Sequence, residues 1–562
     1  MNSNFTTTRR QFLKTMAATA GIAVTGPLLT ACAPANFLHG VASGDPLHDR
    51  VIIWTRVTPS AAGSVVVFVS WEVAQDDSFR HIVTSGHTYT DETIDYTIKV
   101  DAEGLRPDGN YFYRFRCNGF YSVVGKTRTL PVGETGQVTL AVVSCSNYPA
   151  GYFNAYREVA KQAQQIDVVL HLGDYIYEYG KDGYASDDAE TLGRAVNPTT
   201  ELLTLSDYRK RYAQYRSDED LQLVHQQLPF ITVWDDHEVA NDAWRAGAEN
   251  HNEGEGSYPG RKAQALQAHY EWLPIRETGV GNRGRIFRSF DFGDLLSLHM
   301  LDTRIIGRDK PLAYADYLAP TGAFDVVQFT ADLTNSNRQL LGPDQFDWLV
   351  YRLQHSTATW QVLGQQVLMT SIALPAPLLF QQISLQDYQT SIIKAQTHPA
   401  SLTPQERTIL SAPSIPFNLD AWDGYPAARE AILQTALAYN KNLICLAGDT
   451  HNSWAGDLTN ANGTTVGVEF ATPSVSSPGL EAVLTAINPE DLANALTTFS
   501  KPLKYTNTQH RGFMKLTLTH HETTCEWIFI DTVKSRQYRI VENANKRLNV
   551  LPGVGGLQLV EG

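Results

Sequence analysis

The sequence predicts an α/β region over residues 138–535, preceded by a small β-sandwich module over residues 37–132. Two observations carry this. Downstream, four short apolar runs, VTLAVVSC, DVVLHLGDYIY, PFITVWDDHE and NLICLAGDTH, are bounded by polar residues and separated by helical stretches such as 155–165, 261–273 and 345–353. Runs of Val, Ile and Leu too short for a core helix read as buried strands, and their alternation with helices reads as α/β or α+β. Upstream, the pattern is one of alternating strands, VIIWTRV, SVVVFVSWEVA, YTIKV and YFYRFRC, separated by turn clusters such as Pro107-Asp108-Gly109. Short alternating strands at that spacing predict a sandwich.

Length and charge bound the rest. At 562 residues, 43% apolar and 19% charged, the chain is long enough for more than one domain and a sizeable core. A net charge of −14 argues against a specific nucleic-acid partner, which needs basic surface. It does not exclude phosphorylated substrates, because bound metal ions supply local positive charge. The five cysteines, Cys32, Cys117, Cys145, Cys445 and Cys525, include no CxxC pair and are too sparse for a disulfide framework.

Along the chain, residues 8–14 read TRRQFLK, which resembles a twin-arginine export signal, and a weak apolar stretch follows over 16–29. With Gly21, Gly26 and Pro27 in it, that stretch is too short to span a bilayer. Leu29-Thr30-Ala31-Cys32 resembles a lipoprotein box, in which Cys32 would be lipidated; cleavage near residues 31–35 would instead release a soluble protein. Both readings place the mature chain in the periplasm, the cell envelope or outside the cell. In the sandwich module, Leu105-Arg106-Pro107 followed by Tyr111 and Tyr113 predicts a tyrosine corner. Ala42-Ser43-Gly44-Asp45-Pro46 reads as a turn. Residues 131–137 form the linker. The polar stretch 181–220, with Tyr208, Tyr212, Tyr215, Arg209, Arg211 and Arg216, predicts a solvated amphipathic helix near the site mouth. After residue 535, QYRIVE predicts one more strand in a tail over 536–562 with a Gly-rich end.

The chemistry sits at the ends of the four apolar runs: Cys145, Asp174 with Tyr177, Asp235-Asp236-His237-Glu238, and Asp449 with His451. Strand ends deliver side chains to one rim of an α/β sheet, where such folds place their sites. Thiolate, phenol, imidazole and carboxylate arriving there together predict a polynuclear metal centre. Asp174 has two oxygens and is able to bridge two ions. Cys145 and Tyr177 are anionic and polarisable donors that suit ferric iron, whereas Asp236 and Asp449 are hard donors that favour Ca²⁺, Mg²⁺ or Mn²⁺ over Zn²⁺.

The motifs together resemble the PhoD-type alkaline phosphatases, relatives of the purple acid phosphatases among the calcineurin-like metallophosphoesterases. They are ASGDP with VIIWTRV, SCSN, LGDYIYEY, WDDHE, LDTR, LLGPDQFDWL, VLGQQV and GDTH, spread over nearly the whole chain. The resemblance implies an αββα sandwich, which would follow the β-sandwich that the tyrosine corner marks as fibronectin-like. It implies an Fe³⁺ held by Cys145, Asp174, Tyr177 and His451, and one or two Ca²⁺ held by Asp174, Asp236 and Asp449, with Mn²⁺ or Mg²⁺ as substitutes. Gln366 stands where the superfamily often has a histidine ligand. Asp235-Asp236 replaces the Gly-Asn of relatives, and Asp449 a histidine of the purple acid phosphatases; both departures disfavour zinc.

The expected reaction is hydrolysis of phosphate monoesters, and of some diesters, by in-line attack of a metal-bound hydroxide. His237 would protonate the leaving alkoxide or bond the phosphoryl group. Arg304 would clamp a phosphate or pair with a carboxylate, and His510 is a candidate for the site rim. The expected partners are a small phosphate-ester substrate and the twin-arginine export machinery, with the protein a monomer and any membrane attachment through Cys32. Competing readings are a phosphodiesterase or phospholipase D-like hydrolase on the same centre, and a cell-envelope adhesive protein with a degenerate metal site.

Overall fold

The computed structural model describes residues 36–59, 66–277, 284–320, 323–553, 557 and 559–561. The twin-arginine segment, the apolar stretch after it and Cys32 lie outside the described residues.

Two large sheets stack face to face. At the centre of a ten-stranded sheet, Val138–Val143, Val168–His171 and Pro229–Thr232 run parallel and in register, so that Val143, His171 and Thr232 lie side by side. In a seven-stranded sheet, Leu296–Met300, Trp360–Gly364, Asn442–Ala447 and Thr465–Ala471 are parallel neighbours. These strands are apolar runs rather than alternating patterns because both faces of each sheet are covered. Successive residues divide between the faces. Val362, Ile444 and Leu446 join Leu140, Leu170 and Phe230 in the main core, whereas Leu363, Leu443 and Cys445 pack in a second core with Leu349, Leu353, Ile432 and Leu433.

Helices Pro343–His355 and Pro426–Ala438 supply that second core. Helices Asn154–Lys161, Leu205–Tyr215, Glu219–Gln227 and Tyr258–Trp272 cover the ten-stranded sheet through Tyr156, Tyr212, Val224 and Trp272. The result is the αββα layering that the motifs imply. Among the described residues, no helix is long and apolar enough to cross a membrane.

The N-terminal module is a sandwich that shares a sheet with the layer below it. Val67–Ala74, Ile82–Thr90, Asn110–Cys117, Phe120–Tyr121 and Gly125–Arg128 form one sheet. The facing strands, Val41–Gly44, Arg50–Arg56 and Thr97–Glu103, are the end of the ten-stranded sheet, joined to it where Ser43 and Gly44 pair with Pro229 and Phe230. Val51, Ile53, Val69, Val73, Ile98 and Phe115 fill the space between. Gly44 permits the junction, since a Cβ there would lie 2.6 Å from the carbonyl oxygens of Phe230 and Pro274. Asp45, read from sequence as part of a turn, instead pins the junction to the second sheet: its carboxylate accepts from Arg288 at 2.6 and 2.9 Å. The tyrosine corner is made by Tyr111, whose hydroxyl accepts the Arg106 N–H at 2.8 Å.

Two expectations fail. QYRIVE is not a strand; only Ile540 bridges, to Ile530, and the sheet is extended by Lys546–Val550 and Leu559–Glu561. The Phe529 N–H at that edge is taken by the Asn545 side chain at 3.0 Å. The stretch 205–215 is indeed a helix, but not a solvated one: Tyr208, Arg211, Tyr212 and Tyr215 are buried. Its aromatic and arginine residues are consumed internally, as by Tyr208 donating to the Val239 carbonyl at 2.6 Å and Tyr212 bonding His269 at 2.9 Å.

Candidate metal centre

Because the parallel strands are in register, the residues that follow them emerge at one rim. Cys145 lies just beyond Val138–Val143, Asp174 beyond Val168–His171, Asp235 and Asp236 beyond Pro229–Thr232, and Asp449 and His451 beyond Asn442–Ala447. Gly173, at φ 110°, lets two of these ends approach, since a Cβ there would sit 2.6 Å from the Asp235 nitrogen. Cys145, Asp174, Asp449 and His451 all have left-handed backbone, with φ of 59°, 55°, 61° and 62°. Each such non-glycine residue costs on the order of 1–3 kcal/mol, and such residues persist where the surroundings over-determine them, commonly at functional sites.

Their side chains converge in three groups whose donor atoms lie within 4.8 Å of one another: Cys145, Asp174 and His451; Asp174, Asp236 and His237; Asp235, Asp236 and Asp449. Asp174 belongs to the first two groups and Asp236 to the last two. Tyr177 joins the first, its hydroxyl 2.9 Å from Asp174 Oδ2 and 3.2 Å from His451 Nε2. Asp174 Oδ1 and Asp235 Oδ2 are buried without a hydrogen-bond partner. Buried carboxylate oxygens are costly when unpaired, so the site has the composition and the free valences of a cation cage.

The electrostatics agree. Burial, then the Asp174 charge, pushes the Cys145 thiol and the Tyr177 phenol well above their ordinary values. Burial raises Asp235 strongly and Asp449 to about 8, although Arg304 pulls both down. At Asp236 burial works upward, yet Arg304 and His237 hold it at about 2. His237 goes the other way: burial opposes its charge, but Glu178, Asp174 and Asp236 raise it well above an ordinary imidazole. Without cations, the cluster brings together more carboxyl groups than can be ionised at once.

A layer of bonds behind these residues fixes their directions. His237 Nδ1 bonds Glu178 Oε2 at 2.7 Å, and Glu178 is held by the Asn241 N–H at 2.7 Å and the Asn250 amide at 2.8 Å. His451 Nδ1 donates to the Pro478 carbonyl at 2.7 Å. Ser477 Oγ lies 2.7 Å from the Tyr177 hydroxyl and donates to the Cys145 carbonyl at 3.0 Å. Arg211 binds the Tyr177 carbonyl and, at 3.0 Å, that of Tyr179.

One sequence expectation, for Gln366, is redirected, and that for Arg304 resolves to the second of its two alternatives. Arg304 is fully buried, and its guanidinium donates to Asp235 at 2.5 Å, Asp420 at 2.6 Å and Asp449 at 2.7 Å, so it neutralises carboxylates and offers no free fork to a phosphate. Gln366 is not aimed at the donor groups. Its Oε1 accepts from the Thr303 amide at 2.9 Å and the Thr303 hydroxyl at 2.5 Å, and its Nε2 donates to Leu301 at 3.0 Å, consuming both ends of the amide. His510 bonds Asn507, while its neighbour Arg511 reaches the His451 carbonyl at 3.2 Å. Sequence reasoning also passed over Glu178, Tyr184, Asp420 and Ser477. Glu178 stood inside LGDYIYEY, but the others lie outside any motif.

The profile of the PhoD-like phosphatases matches residues 140–527, and that of the PhoD-like phosphatase N-terminal domain matches residues 24–131. The chain is 34% identical over 505 residues to the alkaline phosphatase D of Bacillus subtilis (strain 168), covering 87% of this chain and 77% of that protein. A solved structure described as PhoD superposes with a TM-score of 0.76 at 31% identity, covering 94% of each chain.

Proposed function

This chain belongs to the PhoD-like phosphatase family and is a phosphoric ester hydrolase, and from that premise we propose that it is an exported, metal-dependent enzyme cleaving phosphate monoesters, with diesters as secondary substrates. Cys145, Asp174, Tyr177 and His451 would hold Fe³⁺, and Asp174, Asp236 and Asp449 one or two Ca²⁺, with Mn²⁺ or Mg²⁺ able to substitute. The observation that carries the reading is the position of Asp174, shared between the Cys145–Tyr177–His451 group and the Asp236–His237 group, with one oxygen unpartnered, while Asp236 links on to the all-carboxylate group of Asp235 and Asp449. The bound ions would supply an acidified water as the nucleophile and positive charge against the phosphoryl oxygens.

The chain's own residues do the remainder. With Nδ1 bonded to Glu178, His237 presents Nε2 to the Asp174–Asp236 group. Its bond to the buried Glu178 carboxylate favours the imidazolium, which would suit it to deliver that proton to the leaving alkoxide. Arg304 balances Asp235 and Asp449 and limits their mutual repulsion. No serine or histidine phosphoenzyme is needed. Export rests on Arg9-Arg10 and the apolar stretch after it.

The deciding experiment is metal analysis of protein made through its own export route, paired with hydrolysis of a nitrophenyl monoester and a bis-ester. Iron and calcium should co-purify, chelation should abolish both activities, and Asp174→Asn should lower the rate by about a hundredfold or more. Charge transfer from Tyr177 should colour the protein, and Tyr177→Phe should bleach it. Full activity in chelated protein would sink the reading. Export is tested separately: Arg9→Lys with Arg10→Lys should retain the protein in the cytoplasm, and normal export of that variant would remove the twin-arginine route.

A further inference from the structure

We propose that Tyr184 is a positioning residue for the thiol–phenol–imidazole group, fixing the ring of His451 through a shared carbonyl and covering the face of Tyr177. This rests on the metal reading above. The Tyr184 hydroxyl donates to the Pro478 carbonyl at 2.6 Å and lies 3.0 Å from His451 Nδ1. His451 Nδ1 is itself 2.7 Å from the same carbonyl. A carbonyl can only accept, so Nδ1 carries the proton, and Nε2 is left with its lone pair directed towards Tyr177 and Asp174, at 3.2 and 3.9 Å.

The ring of Tyr184 adds a second contact. It stacks on His451 with centroids 5.9 Å apart and planes 28° from parallel, and on Tyr177 at 6.2 Å and 26°. Tyr177 also lies against the His237 ring at 4.2 Å, so it is packed between two rings. The partners of Tyr184 are anchored in turn. Leu480 N–H donates to Asn452 Oδ1 at 3.0 Å and Ser474 Oγ to the Ser477 carbonyl at 2.5 Å, which holds Pro478 from both sides, and Asn147 binds the Tyr184 carbonyl at 3.2 Å. His451 needs such support, because its backbone sits at φ 62°.

Two substitutions separate hydrogen bond from cover. Tyr184→Phe keeps the ring and removes the hydroxyl, whereas Tyr184→Ala removes both. Full-length exported protein carrying each would be compared with wild type by the visible charge-transfer band, retention of iron against a chelator, the pH–rate profile and far-UV circular dichroism. The expected result is a shifted band and roughly tenfold or greater loss of iron retention in Tyr184→Phe, a larger loss in Tyr184→Ala, and unchanged dichroism in Tyr184→Phe. A Tyr184→Phe protein with the wild-type band, iron retention and pH profile overturns the proposal even when Tyr184→Ala is impaired, since bulk alone would then suffice. Wild-type protein with neither metal nor band sinks the metal assignment and this inference together; a wild-type band with an unaffected Phe variant sinks only the inference.

Discussion

Glu238 accepts the backbone N–H of Asp174, 64 residues away in sequence, at 3.1 Å on its buried Oε2. The same oxygen accepts the Asp235 N–H at 2.7 Å, and Oε1 accepts that of Tyr175 at 2.6 Å. One carboxylate thereby joins two strand ends and holds Asp174 in its left-handed conformation. The metal donors are presented by a hydrogen-bonded frame as much as by the strands themselves.

Glu238→Gln would turn one acceptor into an NH₂ facing a backbone N–H. An unsatisfied buried donor costs about 1–3 kcal/mol. The expected outcome is a loss of about 2–4 kcal/mol in unfolding free energy together with weaker metal retention, measured by urea unfolding and chelator competition. A change within about 0.5 kcal/mol, typical of an inconsequential site, would deny Glu238 this role.

Proton release should accompany metal loading. Burial, and then the Asp174 charge, raises Glu238 from 4.5 to about 8, and burial raises Asp449 from 3.8 to about 8. Both folded values lie above the unfolded ones, so the metal-free fold binds the extra protons between them. That contribution to stability is complete below the unfolded values and is lost as pH rises through about 8. Metal-free protein should therefore lose melting temperature from pH 6 to 9 more steeply than loaded protein. Calorimetric titration at pH 7 in two buffers of different ionisation enthalpy should register protons leaving; identical heats in both buffers would contradict it.

Arg304→Met would leave Asp235, Asp420 and Asp449 without their shared cation. Breaking a buried ion pair from one side costs about 3–5 kcal/mol, and this loss should be seen in chelated protein and be smaller in loaded protein. Arg304→Lys should weaken metal retention while leaving KM for a nitrophenyl ester nearly unchanged. A large rise in KM with normal metal retention would restore the phosphate clamp.

Tyr111→Phe tests the sandwich alone. It removes the hydroxyl that accepts the Arg106 N–H, for an expected loss of about 1 kcal/mol in stability, with kcat and KM unchanged in steady-state assays. Altered kinetics would mean that the shared sheet transmits strain from the sandwich to the rim.

Much of this molecule was local enough to be legible in the residues alone. Strand identity followed from the length and composition of runs such as VTLAVV, the tyrosine corner from the spacing of Leu105, Pro107 and Tyr111, and the donors from the polar residues closing each apolar run. Each depends on neighbours a few positions apart. Tertiary structure alone decided that Val41–Gly44 pairs with Pro229–Thr232, that Gln366 turns to Thr303, that Arg304 is spent on carboxylates, and that Tyr208, Arg211, Tyr212 and Tyr215 point inward. It also decided that Tyr184 meets Pro478, 294 residues on. A side chain's direction and its partner are set by which surfaces pack together, and that depends on hydrophobic burial across the whole chain rather than on any pattern within one segment.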